Sequence, residues 1–154
     1  MPNKELITTF YTAFQKRDAK TMAECYHDEI VFEDPAFGKL KGDHAKAMWK
    51  MLCKNAKDLR VEFSITEVYE TGVKAHWEAF YTFSQTGRKV HNIINANFEF
   101  KDGKIIRHTD TFNLSRWASQ AMGLKGQILG GTGFFRKRLQ AQTNRLLSKF
   151  IKNN

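Results

Sequence analysis

Two carboxylates stand out because they break apolar surroundings. Asp34 closes the run Ile30-Val31-Phe32-Glu33-Asp34 directly before Pro35, and Asp110 stands within Ile106-Arg107-His108-Thr109-Asp110-Thr111-Phe112. In an extended strand alternate residues share a face, so Asp110 lies with Ile106, His108 and Phe112. If that face is the inner one, the Asp110 carboxyl is poorly solvated. Desolvation would then keep it protonated as a hydrogen-bond donor, or poise it as a general acid or base. Plainer roles fit the same residues. An Asp before a Pro caps turns, and Asp110 has Arg107 and His108 as neighbours to pair with.

Other side chains could complete such a site. His108 shares the face of Asp110 at two-residue spacing. Trp77, Tyr81 and Asn92 fall on the same side of their strands as apolar residues, and Trp77 also suits a plain core. Trp49 belongs to an apolar helical stripe expected to line the pocket, and Tyr11 could offer a hydroxyl from the first helix. The remaining histidines, such as His44 and His91, have no partner at metal-ligand spacing, and Cys25 and Cys53 form no CxxC pair. Neither a metal site, a disulfide nor a cofactor is expected. The run from Gly123 to Gly133 lacks the Gly-Lys-Ser/Thr ending of a phosphate loop and reads as a flexible connector or a lid.

The elements that must hold these residues follow from periodicity. Leu6, Ile7, Phe10, Tyr11 and Phe14 recur at helical spacing behind Asn3, a residue able to cap. Asp18 is placed to cap a short second helix with Met22 and Tyr26. After the short strand Ile30 to Asp34, a loop through Gly38 and Gly42 leads to a third helix with Ala45, Met48, Trp49, Leu52 and Cys53. Four long strands then form a meander: Arg60 to Glu70, Val73 to Ser84, Arg88 to Phe100 and Lys104 to Asn113. They are joined at Thr71-Gly72, Thr86-Gly87 and Asp102-Gly103, where glycine supplies the positive φ of tight hairpins. Val73, Ala75, Trp77, Ala79, Tyr81 and Phe83 share one face, with Phe80 the exception on the polar side. A sheet apolar on one side only is an antiparallel sheet covered on that side by helices. A short helix around Trp117 and a final amphipathic helix with Phe134, Phe135, Leu139, Leu146, Leu147 and Phe150 complete the chain.

The whole is an α+β architecture of 154 residues, 42% hydrophobic and 27% charged, which suits one core. Thirteen of its twenty aromatic residues are Phe, enough bulk to line a cavity. The net charge is +9, and Arg136, Lys137, Arg138, Arg145, Lys149 and Lys152 stand on the final helix without an acid among them. Such a helix can lie on a membrane or nucleic acid. Packing against its own domain or a partner subunit is the preferred reading; no nucleic acid is expected, and membrane contact is the lesser alternative. With no signal-peptide or membrane-spanning run, the expected location is cytoplasmic.

The motifs resemble the SnoaL-like branch of the nuclear-transport-factor-2-like superfamily. The pieces that carry this are Phe32-Glu33-Asp34-Pro35, Ala75-His76-Trp77, Thr86-Gly87-Arg88, Asn92, Phe98 through Ile105, His108-Thr109-Asp110, and Trp117 through Gln120 to Gly123. The resemblance implies a cone, a curved antiparallel sheet wrapped around N-terminal helices enclosing a pocket. Residues 1–123 would form it, with 124–154 an added glycine-rich link and basic helix in the same compact unit. That superfamily includes ketosteroid isomerase, scytalone dehydratase, limonene epoxide hydrolase and polyketide cyclases. It implies carboxylates at the positions of Asp34 and Asp110 and a cofactor-independent acid/base enzyme acting on an apolar, oxygenated substrate; a small apolar ligand and a homodimer are the expected partners. The alternative is a non-catalytic ligand-binding or interaction module with the same fold.

Overall fold

A computed structural model describes residues 2–154. Helix α1 (Asn3–Gln15) turns Leu6, Ile7, Phe10, Tyr11 and Phe14 inward. Its cap residue is Pro2 rather than Asn3, and no side chain caps it. Proline's φ of −56° already suits a helix start, which leaves Asn3 inside the first turn. Asp18 caps α2 (Ala19–Cys25) as expected, accepting from Thr21 N. The chain then enters β1 (Tyr26–Asp34), which pairs with β2 (Gly38–Lys41) where the sequence suggested only a loop. Helix α3 (Asp43–Asn55) buries Ala45, Met48 and Trp49.

The meander follows as β3 (Arg60–Tyr69), β4 (Gly72–Phe83), β5 (Arg88–Lys101) and β6 (Lys104–Thr111). The six strands form one sheet in the order β2-β1-β6-β5-β4-β3. All pairings are antiparallel except β1 with β6, which is parallel. That pairing joins the first and last strands and sets Phe32 beside His108 in register. Of the three joint glycines, Gly87 and Gly103 adopt positive φ, but Gly72 does not. Its reason is space: a Cβ there would stand 2.4 Å from the Phe98 carbonyl oxygen of the neighbouring strand.

Val73, Ala75, Trp77 and Ala79 of β4 and Val90, Ile94, Ala96 and Phe98 of β5 are buried on the inner face. On the outer face, the exceptional Phe80 stacks on His91 at 4.2 Å, and the Arg60 guanidinium lies 4.0 Å from the Phe80 ring centroid. A packed cation and ring explain an apolar residue on the polar side. After the sheet come α4 (Leu114–Met122), α5 (Leu124–Leu129) and α6 (Gly133–Asn153). The glycine-rich stretch is therefore no plain connector, because it contains a short helix against α4. Helix α6 returns to the first half of the chain. Gln140, Thr143 and Asn144 hydrogen-bond the backbone carbonyls of Pro35, Ala36 and Phe37 at 2.8–3.1 Å. No helix among the described residues is long and apolar enough to cross a membrane.

Candidate active site

Between the inner face of the sheet, α3 and α6 lies a cavity of about 520 Å³. Asp34 and Asp110 both line it and, among the described residues, are its only acidic ones, with Lys149 its only Lys or Arg. Trp49, Trp77, Tyr81 and Asn92 also line it. Phe112 and Trp117 extend the aromatic wall.

Asp110 reaches the wall from β6 and is 3% exposed. Its Oδ1 accepts from His108 Nε2 at 2.9 Å and from Trp77 Nε1 at 3.3 Å. Behind it, His108 Nδ1 meets the Tyr26 hydroxyl at 2.8 Å, and Trp49 Nε1 donates to that hydroxyl at 2.7 Å. Only one arrangement of protons satisfies every member. Tyr26 accepts from Trp49 and spends its own O–H on His108 Nδ1. The imidazole then carries its proton on Nε2 and donates to Asp110. Oδ1 of Asp110 thus accepts two N–H donors, and Oδ2 makes no hydrogen bond among the described residues. Oδ2 is therefore the Asp110 oxygen left to exchange a proton or a hydrogen bond with a bound molecule.

Asp34 ends β1, where the chain turns at Pro35. Its Oδ1 accepts from Ala36 N at 3.0 Å and Phe37 N at 2.6 Å. The turn-capping and cavity roles thus coexist in one side chain. Burial raises its pKa to about 7; the two backbone N–H groups oppose that rise, and the nearby Asp110 charge adds to it. A carboxyl of this kind holds a proton at neutral pH that it can give away.

Two expected pocket residues do not reach the cavity. His108 is fully buried behind Asp110, because Phe10, Phe32, Trp49 and Phe98 enclose its ring. Tyr11 is also fully buried, stacked on Phe63 at 5.1 Å, and its hydroxyl has no hydrogen-bond partner among the described residues. Burial pushes the Tyr11 phenol well above its ordinary pKa, so it stays neutral. Tyr26 was missed. It stands at the junction of α2 and β1, and its partner His108 is 82 residues away, so no local spacing marks it.

The model of the SnoaL-like domain matches residues 7–108, from α1 to the His108 of this network. The chain belongs to the SnoaL-like family. No curated protein matches it in sequence. Among solved structures, it is similar to a candidate polyketide cyclase from Xanthomonas campestris at 21% identity and a TM-score of 0.67, covering 77% of this chain and 95% of that one. A second candidate polyketide cyclase, from Pseudomonas putida KT2440, is 18% identical with a TM-score of 0.69, covering 79% and 98%. An LEH-like epoxide hydrolase from M. tuberculosis is 18% identical with a TM-score of 0.59, covering 82% and 89%. At these identities the likeness establishes the fold. The SnoaL-like cone accounts for nearly the whole of each neighbour and leaves about a fifth of this chain or more beyond the match.

Proposed function

We propose that this SnoaL-like protein is a cofactor-independent acid/base enzyme acting on an apolar substrate that carries oxygen. The observation behind this reading is that one cavity is lined by two carboxyls in different surroundings, Asp110 on a His108–Trp77 network and Asp34 on two backbone N–H groups. Asp110, positioned by His108 and Trp77 on its Oδ1, acts as the base that takes a proton from carbon or water through Oδ2. Asp34, with its pKa raised to about 7, delivers a proton to the substrate oxygen that gains charge. One proton leaves the substrate and one returns, so isomerisation, cyclisation, dehydration and epoxide opening are all within reach. Ring walls from Trp49, Trp77, Tyr81 and Phe112 favour a flat apolar body, and Asn92 supplies a polar contact. The names of the structural neighbours, polyketide cyclase and epoxide hydrolase, belong to the same group of chemistries.

The test is a thermal-shift screen of cyclic ketones, enols and epoxides, followed by turnover assays of every stabilising compound. Asp110→Asn is expected to retain binding and lose roughly 10²–10⁴-fold in kcat. Turnover that survives this substitution unchanged would remove Asp110 from the mechanism. Stabilising compounds that are never turned over would favour the binding-module reading.

A further inference from the structure

The residues from Thr111 to Asn154 contain eight Lys or Arg and no Asp or Glu, whereas residues 1–110 nearly balance with 17 against 16. Almost the entire net charge therefore resides in α4, α5, α6 and their joints. None of those eight cations forms an ion pair among the described residues. The same segment concentrates exposed apolar surface. Of eight large hydrophobic residues exposed among the described residues, Leu124, Ile128, Leu129, Phe134, Leu146 and Ile151 lie on α5 and α6. Ile128 is 68% exposed and Phe134 67%.

These features meet in a groove of about 510 Å³ between α5 and α6. Met122, Leu129, Phe135 and Leu139 give it apolar walls, and Lys125, Arg138 and Arg145 add positive charge. Arg138 lies 5.6 Å from the Phe134 ring centroid, so a cation and an inserting ring are presented together. Met122, Leu139 and Gln142 line both this groove and the main cavity, which makes the two neighbours.

We propose that the α5–α6 face docks the protein on an anionic phospholipid bilayer. Leu124, Ile128 and Phe134 enter the boundary between headgroups and acyl chains, while Lys125, Arg138 and Arg145 meet the phosphates. Charge complementarity selects this occupant. A second copy of the same face would oppose cations with cations and bring no acid to offset them. Nucleic acid would match the charge but leave the aliphatic side chains without a partner. Docking would also set the groove, and the cavity beside it, against a source of apolar molecules. This inference stands independently of the acid/base reading.

The test is sedimentation of the full chain with phosphatidylcholine vesicles and with vesicles enriched in phosphatidylglycerol. Binding is expected only to the anionic vesicles, and it weakens as salt rises. The exposed triple variant Lys125→Gln/Arg138→Gln/Arg145→Gln is expected to lose on the order of 100-fold in partitioning. Ile128→Ser/Phe134→Ser weakens binding too, while Lys4→Gln/Lys20→Gln on the first two helices leaves it unchanged; circular dichroism checks that each variant is folded. No sedimentation with anionic vesicles overturns the proposal, as does a triple variant that binds like wild type. So does light scattering that shows a dimer which Ile128→Ser/Phe134→Ser turns into monomer, without vesicle binding. Retention of a DNA oligonucleotide where vesicles are not bound overturns it in favour of nucleic acid.

Discussion

Asp34 is asked to hold a charge among aromatic side chains with Asp110 close by, and its carboxyl responds by keeping a proton up to about pH 7. The consequence for folding has a definite sign. Between the ordinary value of 3.8 and about 7, the folded chain holds a proton that the unfolded chain has released. Stability therefore falls as pH rises through that window, and the loss is complete above the folded value. Asp34→Asn cannot ionise, and its side-chain carbonyl can still accept from Ala36 and Phe37. Urea unfolding at pH 5 and pH 8 should show the variant gaining on wild type by about 1–2 kcal/mol, after allowance for partial solvent screening. A difference that does not change with pH would contradict the burial of that carboxyl. Asp34 and Asp110 were legible in the sequence because each breaks an apolar pattern. Tyr26 was not, since a Tyr in an apolar helix end looks like packing until His108 arrives from the far end of the chain. The same limit misplaced Tyr11 and His108: alternation shows which face a side chain takes, but not how many rings stand between it and the cavity.

Among the elements, α5 depends on a contact that no side chain makes. A Cβ at Gly126 would stand 1.9 Å from the Ala118 carbonyl oxygen, so α5 rests directly on the backbone of α4. Gly126→Ala is expected to cost about 1–3 kcal/mol or to displace α5, since backbone cannot move aside as a flexible side chain can. Gly133 begins α6 with nothing within 4 Å of such a Cβ. Gly133→Ala should raise stability by about 0.4–1 kcal/mol through the unfolded chain. Thermal unfolding of the two variants checks both, and equal effects would refute the contact. The meander was readable because glycine joints and alternation are local signals. β2, α5 and the parallel pairing of β1 with β6 were not. β2 is four residues long, α5 is six residues set between Gly123 and Gly130, and the parallel pairing joins strands more than seventy residues apart.

At the scale of the molecule, α6 belongs to the core as well as to the surface. The sequence marks its apolar spacing and its charge, but periodicity cannot say what the apolar side faces. In the fold, Leu147 is 1% exposed and joins the main hydrophobic cluster with Phe10, Trp49 and Phe98, while Leu139 joins the smaller one around Trp117. Hydrogen bonds from Gln140, Thr143 and Asn144 fix the same helix to the turn that positions Asp34. A helix outside the family match at residues 7–108 thus helps to wall the cavity and to hold one of its two carboxyls. Leu147→Ala tests this directly. A buried leucine truncated within a packed core costs about 2–5 kcal/mol, whereas one on a loosely resting helix costs almost nothing. Urea unfolding should give the larger figure, and ligands found by the screen should bind the variant more weakly as the wall loosens.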